Sequence, residues 1–237
     1  MGTNERRERE RQEIRERILE AARELFVAQG YEAVTMRQIA KKIEYTPTAI
    51  YFHFQDKEHL ISELCAIDFL AMAQTFNHLT EVKDPLERLM MMAYAYLEFG
   101  LDNPNHYRLL FMTPHPHVPP EEVAMIRRGN PAEDAYAFLR ATVIECIAAG
   151  YLRPEYRDPE LVAQILWSGI HGTTSLHITR AQDPWIPWRG AEAIVKGLLD
   201  SFVQGLMNLE AVRLGPAEIA QTSPQHPDGK SNKKAGK

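Results

Sequence analysis

The sequence predicts an all-α protein in which a small N-terminal helical domain precedes a larger helical domain. Apolar residues recur at helical spacing through most of the 237 residues, and the apolar–polar alternation of strands is nearly absent. Thr and Asp residues also stand where helix N-caps are expected. We place the domains at residues 1–60 and 61–212, and expect residues 213–237, rich in Pro, Gly, Ser and Lys, to be a disordered tail.

Composition sets limits on partners and compartment. The formal net charge is -5, so nucleic-acid affinity would require a local patch rather than a polycationic chain. Cys65 and Cys146 lie in apolar periodic segments and are interpreted as buried thiols, because two cysteines cannot form a disulfide framework. There is no secretory signal and no apolar run of the roughly 18 residues that a membrane span needs. We therefore expect a cytoplasmic protein with no membrane association.

The first helix begins within the charged N-terminus. Residues 6–17 alternate acidic and basic side chains, which is typical of an exposed helix with pairs four residues apart. A core stripe at helical spacing follows. Gly30 can end the helix as a left-handed cap. The residues of the stripe are Ile14, Ile18, Leu19, Ala22, Leu25 and Phe26.

Two short helices follow. Thr35 and Gln38 match a capping box at the start of a helix over 35–43. After a turn at 44–45, Thr46 can N-cap the next helix, with Pro47 at its first position, where the missing N–H costs nothing. The turn carries Glu44 and Tyr45 and no Gly, so either its backbone is unusual or the turn differs slightly, and the aim of the next helix depends on which.

A longer helix braces the two short ones. Asp56 is its predicted N-cap, and it runs from about residue 57 to 79. Ile50 and Phe54 are four residues apart and should face the small core, whereas Tyr51 and Phe52 lie on other sides. Two short helices joined by a tight turn and braced by a longer one predict a helix-turn-helix.

The segment ILEAARELFVAQGYEAVTMRQIAKKIEYTPTAIYFHFQDKEHL, residues 18–60, resembles the DNA-binding region of TetR/AcrR-family transcriptional regulators. The resemblance implies that residues 61–212 are a ligand-binding and dimerisation domain. LWSGIHGTTSLHI, residues 166–178, and NPNHYRLLFM, residues 103–112, are similar to segments of a subgroup named for a Trp-x-x-x-His-Gly motif. The implied function is a ligand-responsive regulator, more often a repressor, on a near-palindromic double-stranded DNA operator.

A recognition helix that enters the major groove reads base edges with its first turn, here 46–49. Arg37 can read a guanine or hold a phosphate. The residues better suited to phosphates are Thr35, Tyr51, His53 and Lys57. Residues 1–60 hold eleven basic and eleven acidic side chains, so this domain is neutral and depends on a dimer for affinity. The candidate DNA-binding residues are Thr35, Arg37, Thr46, Pro47, Thr48, Ala49, Tyr51, His53 and Lys57.

Met and aromatic residues of the second domain predict an adaptable apolar pocket for a small-molecule effector. Any one of them can equally be a core residue, and His171 can contact ligand or be a satisfied core histidine. The candidate pocket residues are Met91, Tyr94, Phe99, Tyr107, Phe111, Met112, Phe138, Trp167 and His171. The resemblance implies that the last two long helices, 159–180 and 190–209, form a homodimer surface; the alternative is that the last one is an internal helix packed on the core of its own chain. Its candidate residues are Ile194, Leu198, Phe202 and Leu206.

Two other functional classes are alternatives. A helical-bundle enzyme would need Glu-x-x-His pairs or another nucleophile–base motif, and the sequence has neither these nor a P-loop. A protein-interaction module could reuse the helix-turn-helix for a protein partner, but the residue types suited to DNA are retained. No cofactor and no metal site is expected, since His106, His115 and His117 have no Cys or Asp at ligand spacing.

Overall fold

The computed structural model describes residues 3–116 and 127–214. This part of the chain is helical, with one isolated antiparallel bridge between Leu152 and Met207. The part of the predicted tail beyond residue 214 lies outside the described residues, and so does His117. The helices are α1 Thr3–Gln29, α2 Met36–Lys42, α3 Pro47–His53, α4 Lys57–Asn77, a 3-10 helix His78–Glu81, α5 Pro85–Asp102, α6 Pro104–Phe111, α7 Ala135–Ala148, α8 Pro159–Arg180, α9 Ala191–Leu206 and α10 Leu209–Leu214.

Local capping defines the small helices, as the sequence predicts. The Thr35 hydroxyl accepts from the Gln38 amide at 3.3 Å, and the Gln38 side chain accepts from the Thr35 amide at 2.6 Å. Thr46 accepts from the Ala49 amide at 3.3 Å, with Pro47 opening α3. These bonds satisfy orphan donors at each helix start, so both short helices begin at fixed residues.

The turn between α2 and α3 has an unusual backbone, which is one of the two alternatives that its sequence leaves open. Glu44 adopts a φ of 62°, in the left-handed region that favours glycine. The Tyr45 amide donates to the Ala40 carbonyl at 2.9 Å, and Arg17 of α1 lies 5.3 Å from the centre of the Tyr45 ring. Arg17 also donates to the Ile43 carbonyl at 3.1 Å. The first helix therefore holds the turn that aims α3.

The larger helical unit is built from α5, α7, α8 and α9, with α4 packed against α5 and α7. The short helix α6 lies between the two units, because it packs against α1, α4 and α5. The last long helix ends at Leu206 rather than near 209, since Met207 is extended and pairs with Leu152. Both cysteines are buried, and burial raises the pKa of each thiol to about 12.

A buried ion cluster joins the two units. Asp68 of α4 is fully buried, and Arg23 of α1 donates to its carboxylate from Nε at 3.2 Å and from Nη2 at 2.7 Å. His106 Nδ1 of α6 lies 2.9 Å from the same carboxylate. Glu20 of α1 reaches the third guanidinium nitrogen from the exposed side. One carboxylate therefore binds three helices together.

We expect Asp68→Asn to destabilise the protein strongly, because the buried Arg23 guanidinium loses its buried compensating charge and keeps only the exposed Glu20. Breaking a buried pair in this way costs about 3–5 kcal/mol. Glu20→Gln removes a half-exposed partner of the same guanidinium and should cost about 1 kcal/mol or less. Urea unfolding of both variants gives the two free energies. Equal losses would show that the buried Asp68 contact is not the dominant one.

Candidate nucleic-acid interface and ligand cavity

Helix α3 buries one side and exposes the other. Ile50 and Phe54 are fully buried in the core of the N-terminal unit. On the opposite side Tyr51 is 53% exposed and Phe52 is 71% exposed, and Thr48 is exposed beside them. An exposed surface of this kind on a short helix, held rigidly from behind, can enter a DNA groove.

Other predicted DNA-binding residues surround this surface. Thr46 and Pro47 are exposed at the start of α3, and Ala49 is half-buried. Arg37 is exposed on α2, which packs against α3, and it forms no ion pair within the described part of the chain. Thr35 is exposed, although its hydroxyl and amide already take part in the capping box. These residues are therefore at or near the surface of α2 and α3, two helices that pack against each other.

Two predicted residues are engaged inside the protein. Lys57 Nζ donates to the carbonyls of Tyr31 at 2.9 Å and Val34 at 3.1 Å, and lies 4.1 Å from the centre of the Tyr31 ring. His53 Nδ1 is buried without a hydrogen-bond partner. Burial lowers the pKa of His53, and the nearby charge of Arg11 lowers it further. Lys57 therefore braces the loop before α2, and His53 stays neutral.

Sequence reasoning missed two arginines of α1 that lie against α3. The Arg11 guanidinium is 5.4 Å from the centre of the Phe52 ring, and the Arg15 guanidinium is 5.2 Å from the centre of the Phe54 ring. Arg15 also pairs with Glu63 of α4. The spacing of four between the arginines was a usable signal, but the alternating charges of this segment concealed it.

An apolar cavity of about 540 Å³ lies within the larger unit. Helices α4, α5, α7, α8 and α9 form its walls, and the end of α6 closes one side. Its size and apolar character fit a small-molecule site. The lining includes Phe69, Met72, Phe76, Leu86, Leu89, Met90, Met92, Ala93, Tyr96, Leu110, Phe111, Tyr136, Leu139, Leu166, Trp167, Ile170, Leu198, Leu199, Phe202, Val203 and Met207, with Arg128, Glu133, Asp134 and Ala135 beside them.

Of the nine predicted pocket residues, Phe111 and Trp167 line this cavity. Three others point outward instead. On α5 the inward side carries Met90, Met92 and Tyr96, which leaves residues 91 and 94 facing outward. The outward-facing residues are Met91, Tyr94 and Met112. The remaining four lie in packed regions outside the cavity wall. They are Phe99, Tyr107, Phe138 and His171.

A hydrogen-bonded chain stands behind the cavity wall. Trp167 Nε1 donates to the Tyr96 hydroxyl at 3.1 Å, and Tyr96 donates to the Tyr107 hydroxyl at 3.1 Å. The Tyr107 hydroxyl lies 2.6 Å from His171 Nδ1. Burial raises the pKa of Tyr96 to about 12 and lowers the pKa of His171. His171 Nδ1 thus ends a chain of hydrogen-bonding groups that begins at the cavity-lining Trp167.

The residues predicted for a dimer surface mostly face inward. Leu198 and Phe202 line the cavity, and Leu206 is buried. Phe202 and Leu198 also lie against Gly169 of α8, where an added methyl group would meet Phe202 Cζ at 2.6 Å. Ile194 is half-buried. The apolar row on α9 therefore forms part of the cavity wall and packs against α8.

The outer surface of α8 carries its own exposed apolar residues. Leu161 is 47% exposed and Leu176 is 48% exposed. Gly172 of α8 and Gly197 of α9 have no neighbouring atom within 4 Å of an added methyl group. Exposed aliphatic side chains beside small residues leave room for close packing of another helix.

Within residues 3–116 and 127–214, no three His, Cys, Asp or Glu side chains stand together in a way that could hold a metal ion. The helices of this part of the chain are also too short or too polar to cross a membrane.

Comparison with known protein families matches both units. Residues 18–64 match the model of bacterial regulatory proteins of the tetR family, and residues 89–202 match that of the tetracyclin repressor-like C-terminal domain. The first match covers α2 and α3 and the second covers most cavity-lining helices. Both halves of the geometry described above therefore fall within matched segments.

Individual relatives agree with this. HTH-type transcriptional regulator AcrR of Shigella flexneri is 29% identical over 147 residues, which are 60% of this chain and 68% of the relative. HTH-type transcriptional regulator SrpR of Pseudomonas putida is 44% identical over 57 residues, 24% of this chain and 27% of the relative. Across four such relatives the chain spans only 27–42% of their length.

Solved structures share the fold. A TetR family transcription regulator from Marinobacter aquaeolei has a TM-score of 0.66 at 18% identity, over 86% of this chain and 99% of that one. The putative regulatory protein SCO4313 has a TM-score of 0.62 at 23% identity, over 84% of this chain and 98% of that one. At this identity the likeness extends to the fold alone.

We expect the cavity to bind a neutral naphthalene-sized probe such as N-phenyl-1-naphthylamine at one site per chain. Leu139→Trp should lower that affinity at least tenfold, because Leu139 lines the cavity and the larger ring would fill it. Ile144→Trp, on the exposed side of the same helix, is the matched control and should bind like the wild type. Probe fluorescence titration gives both values. Equal binding by the two variants would place the probe elsewhere.

Proposed function

Because this chain belongs to the tetR family of bacterial regulatory proteins, we propose that it is a ligand-responsive DNA-binding transcriptional regulator. In this proposal it is a repressor that leaves a near-palindromic operator when a small apolar molecule occupies the cavity. The family consists of transcription regulators rather than enzymes. Such a function implies action in the cytoplasm, where bacterial DNA lies.

The observation that carries the proposal is the outer surface of α3. Thr48 and Tyr51 are exposed there, while Ile50 and Phe54 anchor the helix from behind. Capping by Thr46 leaves the first turn of the helix at the surface. Short polar and apolar side chains at this position suit base edges, and the Tyr51 hydroxyl suits a phosphate.

The effector half of the proposal rests on the cavity and on α6. Phe111 lines the cavity at the end of α6, and His106 near the start of the same helix contacts the Asp68 carboxylate. Any shift of α6 that makes room for a ligand would therefore disturb its contact with Asp68 of α4, the same carboxylate that binds Arg23 of α1. A ligand that binds the shifted state better lowers the affinity for DNA, and DNA lowers the affinity for that ligand by the same coupling free energy.

We also propose the Trp-x-x-x-His-Gly subgroup for the C-terminal domain. Trp167, His171 and Gly172 supply the motif within the second matched segment. In this structure the Trp and His belong to one hydrogen-bonded chain through Tyr96 and Tyr107. That shared network supports a structural role for the motif beside the cavity.

Selection from a random duplex pool by the purified protein tests the proposal. We expect a near-palindromic winner whose affinity falls steeply as salt rises. Tyr51→Ala should weaken binding to every duplex by about tenfold through loss of a phosphate contact, and Arg37→Ala should do the same or relax one base preference at a cost of about 1–3 kcal/mol. Unchanged affinity in both variants would contradict the assignment of this surface to DNA.

The role of the effector is tested with an apolar ligand that displaces the fluorescent probe from the cavity. This ligand is added to the complex of protein and operator. Release from DNA by wild type, but not by Leu139→Trp, would support control through the cavity. If the ligand released both wild type and Leu139→Trp from DNA, the ligand would act at a site outside the cavity.

We propose further that the protein acts as a homodimer through the outer surface of α8 and α9. Leu176→Glu should give a monomer in sedimentation analysis and lower operator affinity more than tenfold, because two linked half-sites are then read separately. Ile144→Glu changes a comparably exposed aliphatic residue on α7 and should leave the dimer intact. A dimer that survives Leu176→Glu would exclude this surface.

A further inference from the structure

The first three turns of α1 form a helical extension that packs on almost nothing. The helix has 27 residues, and residues 4–13 are all exposed. Burial begins only with Ile14 and Arg15, which are half-buried. A helix in this position gains little stability from packing, so its purpose must be sought in the side chains that it displays.

Three arginines of the extension share one side of the helix. Arg7, Arg11 and Arg15 are each four residues apart, so at 3.6 residues per turn they span an arc of about 80°. We call them the arginine stripe. The acidic side chains of the segment fall outside this arc. They are Glu5, Glu8, Glu10, Glu13 and Glu16.

Contacts with α3 show which way the arginine stripe faces. Arg11 lies over the Phe52 ring and Arg15 lies over the Phe54 ring. Phe52 is more exposed than Tyr51 on the outer surface of α3, where Thr48 is also exposed. The arginine stripe therefore borders the surface proposed to enter the groove.

Only part of the arginine stripe is neutralised inside the chain. Arg15 pairs with Glu63, and elsewhere in the extension Arg6 pairs with Glu10. Arg7 and Arg11 form no ion pair with any described residue. Arg11 lies over the Phe52 ring, which holds its guanidinium in place without cancelling its charge. Among the described residues, two cations thus lie on the α3 side of the extension without an anion.

We propose that Arg7 and Arg11 bind phosphates of the DNA backbone that flanks the groove entered by α3. This inference rests on the proposed function. A guanidinium suits phosphate oxygens through paired N–H donors. One helical turn separates the two residues by about 6 Å along the axis, close to the axial rise of about 7 Å over two nucleotides of one strand.

Phosphate binding by these residues accounts for how a domain with equal numbers of acidic and basic side chains holds a polyanion. Its net charge is neutral, but its charges are sorted: the two uncommitted arginines border α3, and the acidic residues of the extension face other directions. Local sorting of this kind creates a positive edge where net charge gives none.

The test uses the selected operator and the double variant Arg7→Gln/Arg11→Gln in the full chain. The matched control is Arg6→Gln/Arg9→Gln, which removes the same charge from the same segment on other sides of the helix. The slope of log affinity against log salt should become shallower by about 1 for each lost arginine, or about 4 for a dimer, in the first variant. The control should change it by less than half as much.

A second measurement separates phosphate binding from base reading. In the first variant, affinity for the operator and for a scrambled duplex should fall by the same factor, leaving their ratio unchanged. Trimming three base pairs from each end of the operator should weaken wild type more than the variant. Circular dichroism and thermal melting confirm that both variants fold alike.

Different failures have different meanings. Equal slopes in wild type and the first variant would overturn the inference, and so would equal losses in both variants, which would indicate general charge instead of the arginine stripe. A changed operator-to-scrambled ratio would overturn phosphate binding in favour of base contact. If wild type bound no duplex in a salt-dependent way, the proposed function itself would fail.

Discussion

The contact between Arg23, Asp68 and His106 is the constraint on which the arrangement of the two units depends. Asp68 is fully buried, so its charge can be balanced only by groups of the protein. Arg23 comes from α1, which also holds the turn before α3 through Arg17, and His106 comes from α6, which ends at the cavity. The position of the DNA-facing helix and the shape of the cavity are thereby tied to one carboxylate.

The same helix α6 is held on its other side by uncharged groups. Tyr107 follows His106 and bonds to His171, whose pKa burial lowers, so this side involves a neutral hydrogen-bonded chain. Gly100 of α5 permits the close approach, since a methyl group there would overlap Thr174 Cγ2 and lie 3.0 Å from the Tyr107 ring. A helix packed so tightly has few positions available, which favours discrete states over gradual adjustment.

How far the sequence predicts this structure depends on whether a feature is local. Capping by Thr35 and Thr46 depends on side chains within a few residues and is predicted from the sequence, whereas the left-handed backbone of Glu44 is one of two alternatives that the sequence leaves open. The cavity wall depends on helical phase and on neighbouring helices. Three consecutive Met residues at 90–92 carry no phase signal, and the row containing Leu198 fits a dimer surface and a cavity wall equally well until α8 is in place.

The arginine stripe shows the same limit for charge. In sequence, Arg11 is one member of an alternating run, and only the fold sets it against Phe52. That contact gives a role to a phenyl ring that is left 71% exposed on α3. The ring attracts the guanidinium by about 0.5–1 kcal/mol at an exposed site, and this attraction gives the guanidinium a defined position. In the proposed complex with DNA, an aromatic residue that makes no polar contact of its own would thus determine where a positive charge meets a phosphate.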